Sequence, residues 1–167
     1  MTDMLVRLYA MPPLEPALGA LRAKGIDVRR ALPAEKYHLG LWVREHFSNF
    51  WASECDVAFA HQPVGCFIAV RDNTILGFGC YDVVGRGFFG PQGVSEDARG
   101  QGTGAALLLA CLHDMWGLSY GYGIIAGVGP VEFYEKAVGA TVIPDSTPGV
   151  FRGLLRFPGE PEVDSHE

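Results

Sequence analysis

The sequence predicts a mixed α/β fold in one piece. Three observations carry that prediction. Runs of period two and of helical spacing alternate along the chain, no linker or internal repeat divides them, and a glycine cluster stands directly before the most apolar helical run. A length of 167 residues suits one domain. With 49% hydrophobic and 19% charged residues, the chain can bury a core and is no disordered tail.

The elements follow in order. "MLVRLYA" alternates as a strand, "PLEPALGALRAKG" has helical spacing with a stop at Gly25, and "IDVRRAL" alternates again. "PAEKYHLGLWVREHFSNFWASECDVAFAHQP" is a helical region bounded by Pro33 and Pro63, with a break near Ser48–Asn49. "CFIAV", "RDNT" and "ILGFGCY" read as two strands around a polar turn. "GFFGPQGV" is a strand running up to the glycine cluster; Gly90, Pro91 and Gly93 mark a bulge or a close backbone approach in it. After the apolar helix come a strand "GIIAGVG", a helix "PVEFYEKAVG", and strands "TVIP" and "GVFRGLLRF". The closing "GEPEVDSHE" is acidic and is expected to be solvated and frayed.

Charge and cysteines exclude several functions. Lys+Arg at 13 against Asp+Glu at 19 gives a net charge of −6, which argues against sequence-independent nucleic-acid binding and leaves room for a local basic site. Cys55, Cys66, Cys80 and Cys111 are widely spaced with no C-x-x-C pair, so the spacing suggests neither a zinc site nor a thioredoxin-like motif. They read as reduced, mostly buried thiols of a cytoplasmic protein, with no metal expected. Asp3 and Arg7 interrupt the first apolar stretch, which is not a signal peptide. No segment approaches the ~20 apolar residues of a membrane span.

"ARGQGTGAALLLACLHDMW", from Ala98 to Trp116, is the informative stretch. A helix start leaves its first N–H groups unpaired and carries partial positive charge. Glycines there let the backbone curl around a ligand and aim several amides at one spot, which makes an anion site. Arg99 adds a guanidinium beside it. The plain alternative is a tight strand-to-helix turn that binds nothing, for which three glycines and an arginine are more than is needed. A P-loop requires Gly-Lys-Ser/Thr where this chain has Gly102, Thr103 and Gly104. A dinucleotide fingerprint forced from Gly100, Gly102 and Ala105 lacks its acid ~20 residues on and sits past the middle of the chain.

A third pattern fits closely. Arg99-x-x-Gly102-x-Gly104 resembles the (R/Q)-x-x-G-x-(G/A) loop of the GNAT superfamily, the acyl-CoA-dependent N-acetyltransferases. Val94 falls where that family ends its central strand, "PVEFYEKAVGA" resembles its "A-x-x-x-Y-x-K-x-G-F" segment, and "IDVRRA" and "AVRDNTILGF" resemble its first strand and hairpin. The resemblance covers roughly residues 26 to 157 in the right order. It implies a mixed, mostly antiparallel central sheet flanked by helices, with a bulged central strand that splays from its neighbour. Residues 26–158 would form that domain, 1–25 an N-terminal strand–helix extension, and 159–167 a flexible tail. The cofactor implied is acetyl-CoA as co-substrate, its pyrophosphate on Arg99, Gly100, Gln101, Gly102, Thr103 and Gly104, its pantetheine beside Gln92 and Val94, with Phe133 against it. The family prefers apolar residues where Gln92 and Gly93 stand, and often has asparagine where this chain has Gly127, a side-chain contact that is then missing.

Acetyl transfer to an amine has three requirements: a deprotonated nucleophile, a donor for the developing oxyanion and a proton for the leaving thiolate. An alkylamine with a lysine-like pKa of ~10.4 is about one part in 10³ neutral at pH 7, so the site must take a proton directly or through water. The resemblance puts the Val94 amide at the acyl oxygen and Tyr134 at the sulfur; the alternative for Tyr134 is packing with Phe133. No carboxylate lies on "GRGFFGPQGV", where the family often has one. Asp82, Glu54 or a water relay are the candidates for the base, with His46 and His61 able to titrate near neutrality, and His113 expected to face solvent. The acceptor is expected between Trp42–Cys55 and the last two strands, where Trp42, Phe47, Phe50 and Trp51 line a pocket or pack the core. The partner expected is a small-molecule or peptide amine, with no nucleic acid and no membrane. Residues 1–25 would cap the acceptor site or pair with a second subunit as a homodimer. The competing function is a non-catalytic acyl-CoA-binding sensor or assembly module on the same fold.

Overall fold

A computed structural model describes residues 1–155. The elements in chain order are β1 (Thr2–Arg7), α1 (Glu15–Arg22), β2 (Asp27–Arg30), α2 (Lys36–His46), α3 (Asn49–Ala58), β3 (Cys66–Arg71) and β4 (Thr74–Tyr81). Then follow β5 (Phe88–Val94), α4 (Thr103–Gly117), β6 (Tyr122–Val128), α5 (Val131–Val138) and β7 (Thr141–Val142). The strands form one seven-stranded sheet in the order β2-β3-β4-β5-β6-β1-β7. Only β5 and β6 run parallel; every other pairing is antiparallel.

Local sequence accounts for the boundaries. Asp72 and Asn73, both at positive φ, make the tight turn between β3 and β4. Ser48 divides the long helical region: its side chain accepts from the Trp51 amide and caps α3. Gly25 (φ +72°) ends the turn after α1, and Gly139 (φ +62°) ends α5. The helix α4 is buried nearly all round, from Ala106 to Leu112 and at Met115. That explains its lack of a polar face: α4 lies between the sheet and α1, and shares a core cluster with α5. The helices α2 and α3 cover the opposite face over Cys66, Ile68, Phe78 and Cys80. Arg30 of β2 pairs with Asp114 of α4 (2.7 Å), which also accepts from the Tyr81 hydroxyl. This network ties the edge of the sheet to the helix.

Residues 2–7 lie inside the sheet, between β6 and β7, so β1 has a strand partner on each side. One sequence expectation changes. "GVFRGLLRF" is no strand over its described part: Gly149–Phe151 forms a single tight 3-10 turn, with Gly149 and Gly153 at positive φ. Phe151 packs instead against the backbone of Gly127, whose amide donates to Asp3 (2.9 Å). The acidic tail at 159–167 lies outside the described residues. No helix among the described residues is long and apolar enough to cross a membrane.

Candidate active site

The sheet opens at β5. Along β4 the register slips between Gly79 and Tyr81, where Gly90 and Pro91 form a bulge, with Gly90 at φ +118°. Along β6 the pairing stops after Phe88–Ile124 and Phe89–Ile125. The Ser95 amide donates to the Leu76 carbonyl (2.8 Å), so Leu76/Ser95 and Phe78/Gly93 are the hydrogen-bonded pairs of this ladder. Gly77/Val94 and Gly79/Gln92 are then the non-bonded pairs. The main-chain groups of Gln92 and Val94 therefore point away from β4, into the gap left by β6. An extended ligand can bond there like an added strand.

The glycine loop closes one end of that gap. Gly100 (φ +73°) and Gly102 (φ +93°) are left-handed, and Gly102 caps α4 without a side chain. None of the amides from Gly100 to Ala105 has an acceptor among the described residues. A Cβ at Gly100 or Gly102 would touch nothing within 4 Å; conformation, not crowding, demands glycine there. At Gly104 a Cβ would lie 3.3 Å from Gln92 Nε2 and 3.6 Å from the Phe133 ring, which places the helix start against β5 and α5. Arg99 is exposed and its Nε donates to the Val94 carbonyl (3.3 Å). Gln101 and Thr103 turn their side chains to the Asp97 and Ala98 carbonyls (3.2 and 3.4 Å).

Two groups here were not legible as site residues or gain a new part. Lys24 Nζ donates to the Gln101 carbonyl (2.8 Å), bringing a cation from the N-terminal unit to the loop; only its place before Gly25 hinted at anything. Gln92 Oε1 is buried with no hydrogen-bond partner among the described residues. Unpaired amides and two cations are donors that fit a diphosphate, and the orphaned Gln92 Oε1 is an acceptor for the N–H of an amide-bearing chain, as in coenzyme A.

Tyr134 stands one turn into α5, its ring edge-on to Phe133 (centroids 4.9 Å apart). Burial pushes its hydroxyl up to about 12, and that hydroxyl has no hydrogen-bond partner among the described residues. Glu54 is on α3 beside Cys55, which with Trp51 and Ala58 packs toward the sheet. Half-buried, it is pushed by desolvation up to about 7. Asp82 is otherwise engaged: it accepts from the Gly87 amide (2.7 Å) and the Tyr120 hydroxyl (2.8 Å), so both carboxylate oxygens brace the turn before β5. His46 stacks on Trp42, its Nδ1 on the Trp42 carbonyl. His113 stays near the surface but holds the Pro12 carbonyl (2.8 Å). Trp42, Phe47 and Trp51 gather around Phe78 and pack the core under α2 and α3. Phe50 is half-buried and stands outside that packing. An open groove of about 530 Å³ between α2 and α3, lined by Tyr37, Arg44, Asn49 and Asp56, contains none of the loop, β5 or α5 residues.

A sheet split beside a bulged strand, with an amide-lined loop at the mouth, is the arrangement that the sequence resemblance implies for the GNAT fold. The acetyltransferase (GNAT) family model matches residues 29–140, and the chain belongs to that family. No curated protein matches the chain. Among solved structures, the GCN5-related glucosamine N-acetyltransferase region of a fungal multi-domain GH3 β-N-acetylglucosaminidase is similar at TM-score 0.69 and 13% identity, over 85% of this chain and 19% of that one. A GCN5-related N-acetyltransferase from Sphaerobacter thermophilus is similar at TM-score 0.64 and 23% identity, over 85% and 48%. A conserved protein of unknown function from Staphylococcus epidermidis follows at TM-score 0.51 and 13% identity, over 85% and 57%. The chain spans less than two thirds of each, and at these identities the likeness shows the fold.

Proposed function

We propose that this chain moves an acetyl group from acetyl-CoA directly to a primary amine of a small molecule or peptide. The observation that carries the reading is the run of acceptor-less amides from Gly100 to Ala105 beside the outward-facing backbone of Gln92 and Val94. Acetyl-CoA supplies the activated acyl group. The loop amides, with Arg99 and Lys24, hold the diphosphate, and Gln92 and Val94 hold the extended arm with Phe133 beside it. The Val94 N–H polarises the acyl oxygen. Glu54, with a carboxyl near 7, takes the amine proton directly or through one water. The Tyr134 hydroxyl donates to the departing sulfur; lying above the thiol range of ~8.5, it contributes a hydrogen bond before any complete proton transfer.

The test is a melting curve with and without acetyl-CoA, followed by an amine screen that detects released thiol. Ligand at a hundred times its dissociation constant adds about 2.7 kcal/mol of stability. No shift at millimolar acetyl-CoA overturns the reading. A shift with no thiol release across amines of every class assigns the chain to the acyl-CoA sensor instead.

A further inference from the structure

Three sulfurs that the sequence keeps far apart meet in the core. Cys66 and Cys80 are directly opposed on β3 and β4. The Tyr81 amide donates to the Gly65 carbonyl (3.0 Å), so the next pair, Cys66/Cys80, is a non-bonded one, where side chains approach most closely. The helix α3 lays Cys55 over both, and the three Sγ atoms lie within 4.8 Å of one another. They are 1%, 0% and 0% exposed, among Ala31, Leu39, Val43 and Ala58. Cys111 is on the other face of the sheet, where a Cβ on Gly79 would lie 3.3 Å from its sulfur.

We propose that Cys55, Cys66 and Cys80 form a three-sulfur site for a soft trivalent ion of the arsenic(III) class. Thiolates select thiophilic ions. Bonds of ~2.3 Å, as in zinc thiolates, at pyramidal angles of about 95–100° would set the sulfurs roughly 3.4–3.5 Å apart, within the 4.8 Å that bounds the cluster. Coordination number and charge decide among such ions. Zinc takes four donors, and no histidine or carboxylate joins the trio among the described residues. Three thiolates would leave one net negative charge around a divalent ion and two around a monovalent one. An apolar pocket penalises both. Lys36, a cation on the Cys55 side of the trio, is half-exposed and faces Asp56 (3.7 Å).

A trivalent ion leaves no net charge and carries a lone pair in place of a fourth ligand. With arsenious acid the step balances without oxidant or reductant: three As–O bonds break, three As–S bonds form, and three thiol protons leave with three hydroxides as water. Entry requires local opening of α3, so uptake is slow.

The experiment uses the reduced full chain and arsenite alone as probe. The parent and Cys111→Ala should each take up one equivalent, with X-ray absorption showing three sulfur neighbours. Cys55→Ser, checked for folding by circular dichroism, should bind about a hundredfold more weakly. The proposal is overturned by no stoichiometric uptake in the parent, by equal binding in Cys55→Ser, or by fewer than three sulfurs. Displacement of arsenic by equimolar zinc(II) or copper(I) also overturns it. Should Cys55→Ser not fold, the sulfur count in the parent decides alone.

Discussion

Gly93 and Gly102 are glycine for opposite reasons. A Cβ on Gly93 would lie 2.3 Å from Cζ of Phe47, so the aromatic packing of α2 and α3 against the strand leaves no room for a side chain unless that ring moves. A Cβ on Gly102 would meet nothing within 4 Å, yet the backbone there is at φ +93°. The first glycine serves the protein's own packing; the second serves a backbone shape that turns amides outward. Within one strand–loop–helix unit, that difference separates scaffold from candidate site. Both look alike in the sequence.

Breaking the second glycine should have the largest effect. Valine at that φ is strained by about 1–3 kcal/mol, and the loop relieves it by rotating its amides. Gly102→Val should weaken coenzyme A by about a thousandfold, or about 4 kcal/mol, the loss of roughly three charge-assisted bonds. Calorimetry within threefold of the parent would contradict the loop's assignment. Tyr134→Phe tests the proposed proton donor on α5. Turnover should fall about ten- to a thousandfold with coenzyme binding nearly intact; unchanged turnover leaves Tyr134 as packing for Phe133.

Glu54 gives a signature in both rate and stability. The carboxyl lies near 7 in the folded chain against an ordinary 4.5, so its protonated form is the favoured one on burial. That contribution is complete below the unfolded value and is lost as pH rises through about 7. Glu54→Gln should therefore melt a few degrees above the parent at pH 8 and level with it at pH 4. Its turnover at pH 8 should fall about ten- to a hundredfold, and the limb of the pH–rate profile near 7 should vanish. A profile that keeps this limb assigns the base to water or another group.

How much of this was legible depends on the range of the interaction. The β3–β4 turn, the Ser48 break and the loop before α4 are local, set by residues adjacent in sequence, and the sequence shows them. The place of β1 between β6 and β7 is not, because alternation marks a strand without ordering it among the others. Asp82 reads as a free acid until Tyr120 arrives from beyond α4. The final run alternates like a strand, but two left-handed glycines and the seat of Phe151 on Gly127 outweigh its pattern. The cysteine trio needs α3 and two strands in register before three separate thiols become one cluster.

The scaffold side of the comparison is tested at Gly93. Alanine there forces the Phe47 ring out of its contact, and overpacking of that kind costs about 1–3 kcal/mol. Gly93→Ala should lower the midpoint of urea unfolding by that amount while the surviving folded protein binds coenzyme A within a fewfold of the parent. Loss of binding without loss of stability would move Gly93 from scaffold to site.

The smallest effect sharpens the boundary between the N-terminal unit and the candidate site. Lys24 is exposed and reaches the loop only through the Gln101 carbonyl (2.8 Å), so its attraction for a diphosphate is largely screened by water. Lys24→Ala should weaken coenzyme A about two- to fivefold at low salt. The deficit should shrink toward none at molar salt, where the screening length falls to about 3 Å. Dephospho-coenzyme A, which keeps the diphosphate but lacks the ribose phosphate, should show the same deficit if Lys24 acts at the diphosphate. A salt-independent deficit would mean instead that Lys24 holds the loop in shape, making residues before β2 part of its scaffold.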